Sequence, residues 1–160
     1  MIEISRAHDF PLKIKLETFK QSNLEGVDFH RCYLNNMDFD YSAIIGTDFR
    51  SAEMRNSNFF SSNLFKCKII MVEAQNSIFD KSNFNESLIL HSDFSGASFK
   101  GADLSKAVVA DTIFAKCDLR GANLSCAGLE TCVLDGAVYD ELTIWNENFN
   151  VAEYRVIKFG

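Results

Sequence analysis

The chain has one proline in 160 residues and no low-complexity stretch, which argues against an extended disordered region. It has no run of ~18 apolar residues, the minimum for a membrane-spanning helix. Its opening, MIEISRAHDF, carries charges where a secretory signal carries an apolar core, so no signal peptide is expected. The five cysteines form neither a CxxC pair nor a zinc-ligand spacing, so neither a disulfide framework nor a structural metal is expected, and a reducing cytoplasm is the natural setting. There are three histidines, no glycine-rich phosphate loop and no paired-carboxylate signature. The formal charge of −6 disfavours a surface for nucleic-acid phosphates. These absences leave no catalytic residue, cofactor or metal ligand to nominate.

What is abundant is regularity. In FSGASFKGADLSKA (residues 94–107) the large residues Phe94, Phe99 and Leu104 fall five apart, as do the small residues Ala97, Ala102 and Ala107. Five is the period of neither helix nor strand. From Phe19 to Tyr139 every fifth residue is a large apolar one, with Ala74 the exception. Two places before each such centre, from Ser22 to Ala137, stands Ser, Ala, Cys, Thr or Val, with Met37 the exception. The residue just before the centre is often Asn or Asp, as at Asp28, Asp38, Asn58, Asn83 and Asp118.

The segments CDLRGANLS (117–125) and ADLSKA (102–107) resemble the A-(D/N)-L-x-x motif of the pentapeptide-repeat family, over about three quarters of the chain. The resemblance implies an all-β fold, a right-handed quadrilateral parallel β-helix in which five residues make one side and four sides one coil. Elementary geometry agrees. A chain that turns at every fifth residue closes a square, and coils stacked at the ~4.8 Å strand spacing pair their backbones; about six coils make a rod of roughly 29 Å. The expected organisation is an N-terminal cap over 1–18, a β-helix over 19–139 and a C-terminal cap over 140–160.

A 20-residue coil sorts the centres into four columns. Side 1 holds Phe19, Phe39, Phe59, Phe79, Phe99, Leu119 and Tyr139, a structural core of rings able to stack along the axis. Corners fall two residues after each centre, where a type II turn needs positive φ. Six of the eight glycines occupy them: Gly26, Gly46, Gly96, Gly101, Gly121 and Gly136. The corner after side 4, held mostly by Asn or Gly, is expected to be type II, and Lys66, Glu86 and Lys106 are expected to take other turns. The centre register never slips, which predicts coils without insertions. Beyond it, AVYDELTIWNENF resembles the closing segment of the family, although Asn146 stands where Pro is common. Trp145 is expected to plug the end, with Glu141 and Phe149 in the same covering segment.

A filled axis leaves no pocket, so function is expected on outward positions. His30 and His91 fall on side 3 three coils apart, roughly 14 Å, too far to share a metal whose ligands sit at ~2 Å. Cys32, Cys67, Cys117 and Cys132 occupy inward positions; Cys126 falls at a corner and is expected to be exposed. On side 3, Ile70, Leu88, Leu90 and Val108, with Ala110 and Met71, form an apolar cluster, the mark of a protein partner, a homodimer contact or coverage by a terminal segment. On side 4, Glu53, Glu73 and Asp93 stack, with Arg55 alongside; like charges so placed repel. Phe60, and Ile45 above Phe65, make smaller apolar spots. The first functional expectation is a non-enzymatic protein-binding or scaffold rod. The alternative comes from the resemblance: some family members imitate B-form DNA and protect gyrase or topoisomerase IV from quinolones, which would make side 4 an acidic mimic.

Overall fold

The computed structural model describes residues 1–160. From Phe19 onward the chain winds as a four-sided coil in which residues 20 apart pair in parallel, from Asn23 with Ala43 to Asp118 with Val138. Three-residue strands appear on side 3, where Lys68–Ile70, Leu88–Leu90 and Val108–Ala110 form one parallel sheet. Here the outward positions carry aliphatic residues that favour a pleated surface, in place of Asn or Asp.

Each five-residue unit disposes of its backbone amides almost completely, as burial requires. In the unit centred on Phe39, the Phe39 amide donates to Asn58 O at 2.7 Å and the corner Tyr41 amide to Phe60 O at 2.9 Å, both one coil on. The next unit's first amide, Ser42, closes the turn on Phe39 O at 3.1 Å, and Ala43 donates back to Ser22 O at 3.0 Å. One amide remains, that of the residue after the centre, and the recurrent Asn or Asp supplies its acceptor: Asp40 to Asp38 Oδ1 at 3.1 Å, Phe60 to Asn58 Oδ1 at 3.0 Å, Asn85 to Asn83 Oδ1 at 2.9 Å. The residue type before each centre therefore has a local backbone cause.

The axis is filled by the centres. Along side 1 the rings of Phe19, Phe39, Phe59, Phe79 and Phe99 stack at centroid distances of 4.9, 4.6, 5.0 and 5.1 Å. Phe29 stacks on Phe49 and Phe94 on Phe114, while contacts between sides are edge-on, such as Phe79 with Phe94 at 5.5 Å, or tilted, as Phe84 with Phe99. Phe39, Phe59, Phe79, Phe99 and Leu119 are all fully buried. The inward small residues do more than leave room. The Ser57 hydroxyl donates to Leu34 O in the coil below at 2.7 Å and accepts from the Met37 amide at 3.2 Å. Ser62, Ser87, Thr47 and Thr112 likewise donate to the centre carbonyl 23 residues earlier. Where serine or threonine stands at such a position it staples consecutive turns, which alanine cannot do.

The corners depart from expectation. Lys66, Glu86 and Lys106 have φ of 59°, 60° and 60°, the same left-handed conformation as Asn56 and Asn76 and as the corner glycines. The stack imposes it. The Lys66 amide reaches Asn85 O, at 3.1 Å, as those of Ser61 and Met71 reach Asp80 O and Leu90 O, whereas Glu86 and Lys106 keep the shape of the stacked corner without that bond. A left-handed non-glycine residue costs of order 1 kcal/mol, which the inter-coil bonds offset.

The register does slip, twice. On side 3 of the sixth coil Ala127 pairs with Val108, one residue short, and Gly128 at φ 85° leads into a single 3-10 turn, Leu129–Thr131. A Cβ on Gly128 would stand 2.1 Å from Val109 O, so only glycine fits. Cys126 is thereby drawn into the inward slot and buried, contrary to its expected exposure. Past Tyr139 one extra residue enters: Asn123 pairs with Ile144 and Leu124 with Trp145, so Trp145 rather than Ile144 faces the axis. Tyr139, Trp145, Phe149 and Tyr154 then pack ring on ring, at 5.5, 5.2 and 4.6 Å, over the end of the core. Ile157–Lys158 returns to pair with Val138–Tyr139. At the other end, β-hairpin Ile2–Arg6/Asp9–Ile14 lays its first strand antiparallel on the first coil at Cys32 and buries Ile4.

Two substitutions test the packing. Phe59→Ala, which empties a fully buried ring site, should cost about 3–5 kcal/mol in chemical denaturation. Gly128→Ala should destabilise well beyond Gly26→Ala, where nothing lies within 4 Å and only the conformational cost of about 1 kcal/mol applies.

Candidate functional site

Outward side chains one before and one after each centre present four flat faces. On side 3 the coil pairing sets Lys68, Leu88 and Val108 in one row and Ile70, Leu90 and Ala110 in the next. Leu88 is 39% exposed, Val108 41% and Met71, at the adjoining corner, 57%; Ile70 and Leu90 are half-buried between their neighbours. Neither terminus covers this face. The hairpin docks at Cys32 and the tail on Leu124 and Tyr139.

The face runs upward into the register slip. There Ala127, Gly128 and Glu130 stand opposite Asn146, Phe149 and Glu153, which the second 3-10 turn, Val151–Glu153, brings alongside, and the two walls enclose a cleft of about 420 Å³. The Asn146 amide donates to Cys126 O at 3.0 Å, and the Tyr154 hydroxyl to Glu130 O at 3.2 Å, tying the walls together. Asn150 holds the Glu153 carboxylate at 2.8 Å. A solid axis does not exclude a pocket at its end, and this cleft is the correction to an expected absence of pockets. Its signal in the sequence is the string Cys126-Ala127-Gly128, with a glycine just before a centre where Asn, Asp or an aliphatic residue is usual.

Side 4 places Glu53, Glu73 and Asp93 in register as expected, since each pairs with the next. Their charge is largely engaged. Arg55 bonds Glu53 at 2.6 Å and also Glu73; Asn35 donates to Glu53 at 3.1 Å. Asp93 accepts from Gln75 Nε2 at 2.8 Å and from both the amide and the hydroxyl of Ser95, at 2.8 and 2.6 Å. Partial burial pushes the Asp93 carboxyl up, but these bonds outweigh it and hold the group below the usual aspartate value. The stripe is thus a braced structural column. Between sides 3 and 4, Met71, Gln75 and His91 border a shallow groove of about 380 Å³.

Other candidates are quenched. Burial pushes the thiols of Cys67, Cys117 and Cys126 up to about 12, where no thiolate forms near neutrality. The Cys67 and Cys117 thiols donate to Ile44 O and Phe94 O, as serines do elsewhere. No three His, Cys, Asp or Glu side chains converge in metal-binding geometry, and no helix is long and apolar enough to cross a membrane. Of the smaller apolar spots, Phe60 is flanked edge-on by Tyr41 at 5.5 Å and overlain by Lys81, and Phe65 by Lys66.

The geometry defines a class: a capped, four-sided, right-handed β-helical rod whose surfaces rather than its interior are open to other molecules. The sequence pattern of pentapeptide repeats matches in eight copies over residues 22–64, 72–105 and 102–138, more than half of the chain, and the chain belongs to the pentapeptide-repeat family. No curated protein sequence matches it. Among solved structures, it resembles HetL, a pentapeptide repeat protein involved in heterocyst differentiation regulation in the cyanobacterium Nostoc sp. strain PCC 7120, with a TM-score of 0.64 and 14% identity over 86% of this chain and 58% of HetL. The chain therefore spans little more than half of HetL's length. It also resembles alr5209 of Nostoc PCC 7120 (TM-score 0.54, 23% identity, 70% of this chain and 84% of that one). AT2G44920, from the thylakoid lumen of Arabidopsis thaliana, gives a TM-score of 0.50 and 22% identity over 59% of this chain and 69% of its own. At these identities the likeness is one of fold.

The braced carboxylates carry a pH prediction. Beside Asp118, the Arg120 guanidinium at 2.6 Å holds the carboxyl below its ordinary value, and Asp93 is depressed as described. The unfolded chain takes up protons on these groups first, near ~3.9. Their stabilisation is therefore complete above that pH and is lost as pH falls through the lower folded values. Denaturation midpoints should fall steeply below pH ~4, and Asp118→Asn should make that fall shallower. A midpoint that stays level under acid would contradict the assignment.

Proposed function

We propose that this protein is a non-enzymatic binding rod, working in the cytoplasm, whose side 3 receives a protein partner. The single observation that carries the reading is the uncovered apolar cluster of Ile70, Leu88, Leu90 and Val108, held in register on three adjacent strands of one sheet. Each of these side chains points outward and contributes little to the axis, so packing alone does not call for them. Exposed apolar clusters of this kind mark interaction sites in soluble proteins. A binding role also fits a core so filled by rings that the reactive side chains are either buried or scattered.

The alternative, a DNA-like protector of a type II topoisomerase such as gyrase, needs a free acidic column. Arg55, Asn35, Gln75 and Ser95 already occupy that column, so it is the less supported of the two.

A charge in the middle of the face tests the proposal. Leu90→Glu, with its circular dichroism unchanged, should lose a protein that the unaltered chain retains in crosslinking from its native cell. Retention of the same proteins by both would remove side 3 as the docking face. Protection of gyrase supercoiling against a quinolone, abolished by Glu73→Lys, would favour the alternative instead.

A further inference from the structure

Side 3 and the terminal cleft are one continuous surface. Leu88 pairs with Val108, and Val108 with Ala127, which already lines the cleft beside Gly128 and Leu129. The aliphatic strip from Ile70 to Ala127 spans three coil steps, ~14 Å, the length of about four extended residues. At roughly 10 Å wide it offers a small fraction of the ~800 Å² per partner that stable protein pairs bury. A second copy of this rod, meeting it flat side to flat side, would be poorly held. A narrow strip that ends in a cleft suits a short segment anchored at one end.

The charge of the cleft specifies the anchor. Its walls carry the carboxylates of Glu130 and Glu153 and the side-chain amides of Asn146, Asn148 and Asn150, and no lysine, arginine or histidine. Glu130 has no ion-pair partner, and Glu153 is held only by the neutral Asn150 amide. The opposite end of the strip, at Lys68, is cationic and unpaired in the same sense. The surface thus has an apolar middle, a negative head and a positive foot.

We propose that side 3 binds a short linear segment of a partner protein, about four aliphatic residues followed by an arginine or lysine whose cationic head enters the cleft between Glu130 and Glu153. This rests on the reading of side 3 as the docking face and adds the chemistry of the occupant. Planar guanidinium, with its fork of donors, suits carboxylates flanked by amide oxygens better than a point-charge ammonium does.

The test is an amide-shift titration of the isotope-labelled full chain with acetyl-Val-Leu-Val-Ile-Gly-Arg-amide and with the same peptide ending in Glu. The arginine peptide should bind with a dissociation constant at or below ~1 mM and shift amides on both the strip (Leu88, Val108) and the cleft (Gly128, Glu153). The glutamate peptide should bind at least about tenfold more weakly, and the double variant Glu130→Gln/Glu153→Gln should abolish that preference. Equal binding of the two peptides, shifts confined to the strip, or no shifts at ~1 mM would overturn the inference. If Leu90→Glu removes binding while the glutamine variant leaves the preference intact, the inference falls and the docking face stands. If neither substitution changes binding, both fall.

Discussion

The structure depends on one repeated bond, the corner amide donating to a carbonyl 19 residues ahead. It holds coil to coil at the strand spacing at most corners, although the Glu86 and Lys106 amides do not make it and those of Asp111 and Gly121 turn to side-chain oxygens instead. It goes with a left-handed residue at the turn, whether glycine or not: Lys66 makes the bond in a backbone that lysine seldom takes, and Glu86 and Lys106 share that backbone in the same stack of corners. It fixes the side length at five residues, so the centres line up and the phenylalanine rings of side 1 meet face to face. It leaves one amide per unit without a backbone acceptor, and the sequence answers with Asn or Asp in the place that reaches it.

Most of that architecture was legible in the amino-acid sequence because each layer of it is periodic. Column membership, the inward small residues, the stacked rings and the in-register carboxylates of side 4 all follow from counting in fives. What counting missed has particular causes. Tabulated turn preferences describe isolated turns, and here the stack overrides them; propensity at Lys66 lost to the ladder. The bonding of the serine hydroxyls carries no signal in the sequence, because their acceptors lie 23 residues back and become visible only when the coil is closed. The slips at Gly128 and before Trp145 leave the spacing of large residues intact in the sequence, since one residue lost from pairing near Ala127 is regained in the 3-10 turn. An unbroken period of apolar residues does not guarantee an unbroken period of pairing.

The same slips carry the functional interest. A perfectly regular rod would offer only flat sides, and flat sides discriminate poorly between partners. Breaking the register near one end opens a concave site with its own charge, and the bend of Cys126 into the core and the glycine that no other residue can replace are the local means. Side 3, free of Asn and Asp from Lys68 onward, leads an apolar strip directly to that site. Belonging to the pentapeptide-repeat family accounts for the rod; the strip and cleft are features of this chain's own surface.

The central claim is the inter-coil bond at corners that lack glycine, and its most direct measurement is the through-hydrogen-bond scalar coupling between the Lys66 amide nitrogen and the Asn85 carbonyl carbon. The account predicts a resolved coupling, with a matching one from Asn56 to Gln75. A Lys66 amide that exchanges freely with solvent, or that couples to a carbonyl of its own turn, would contradict it.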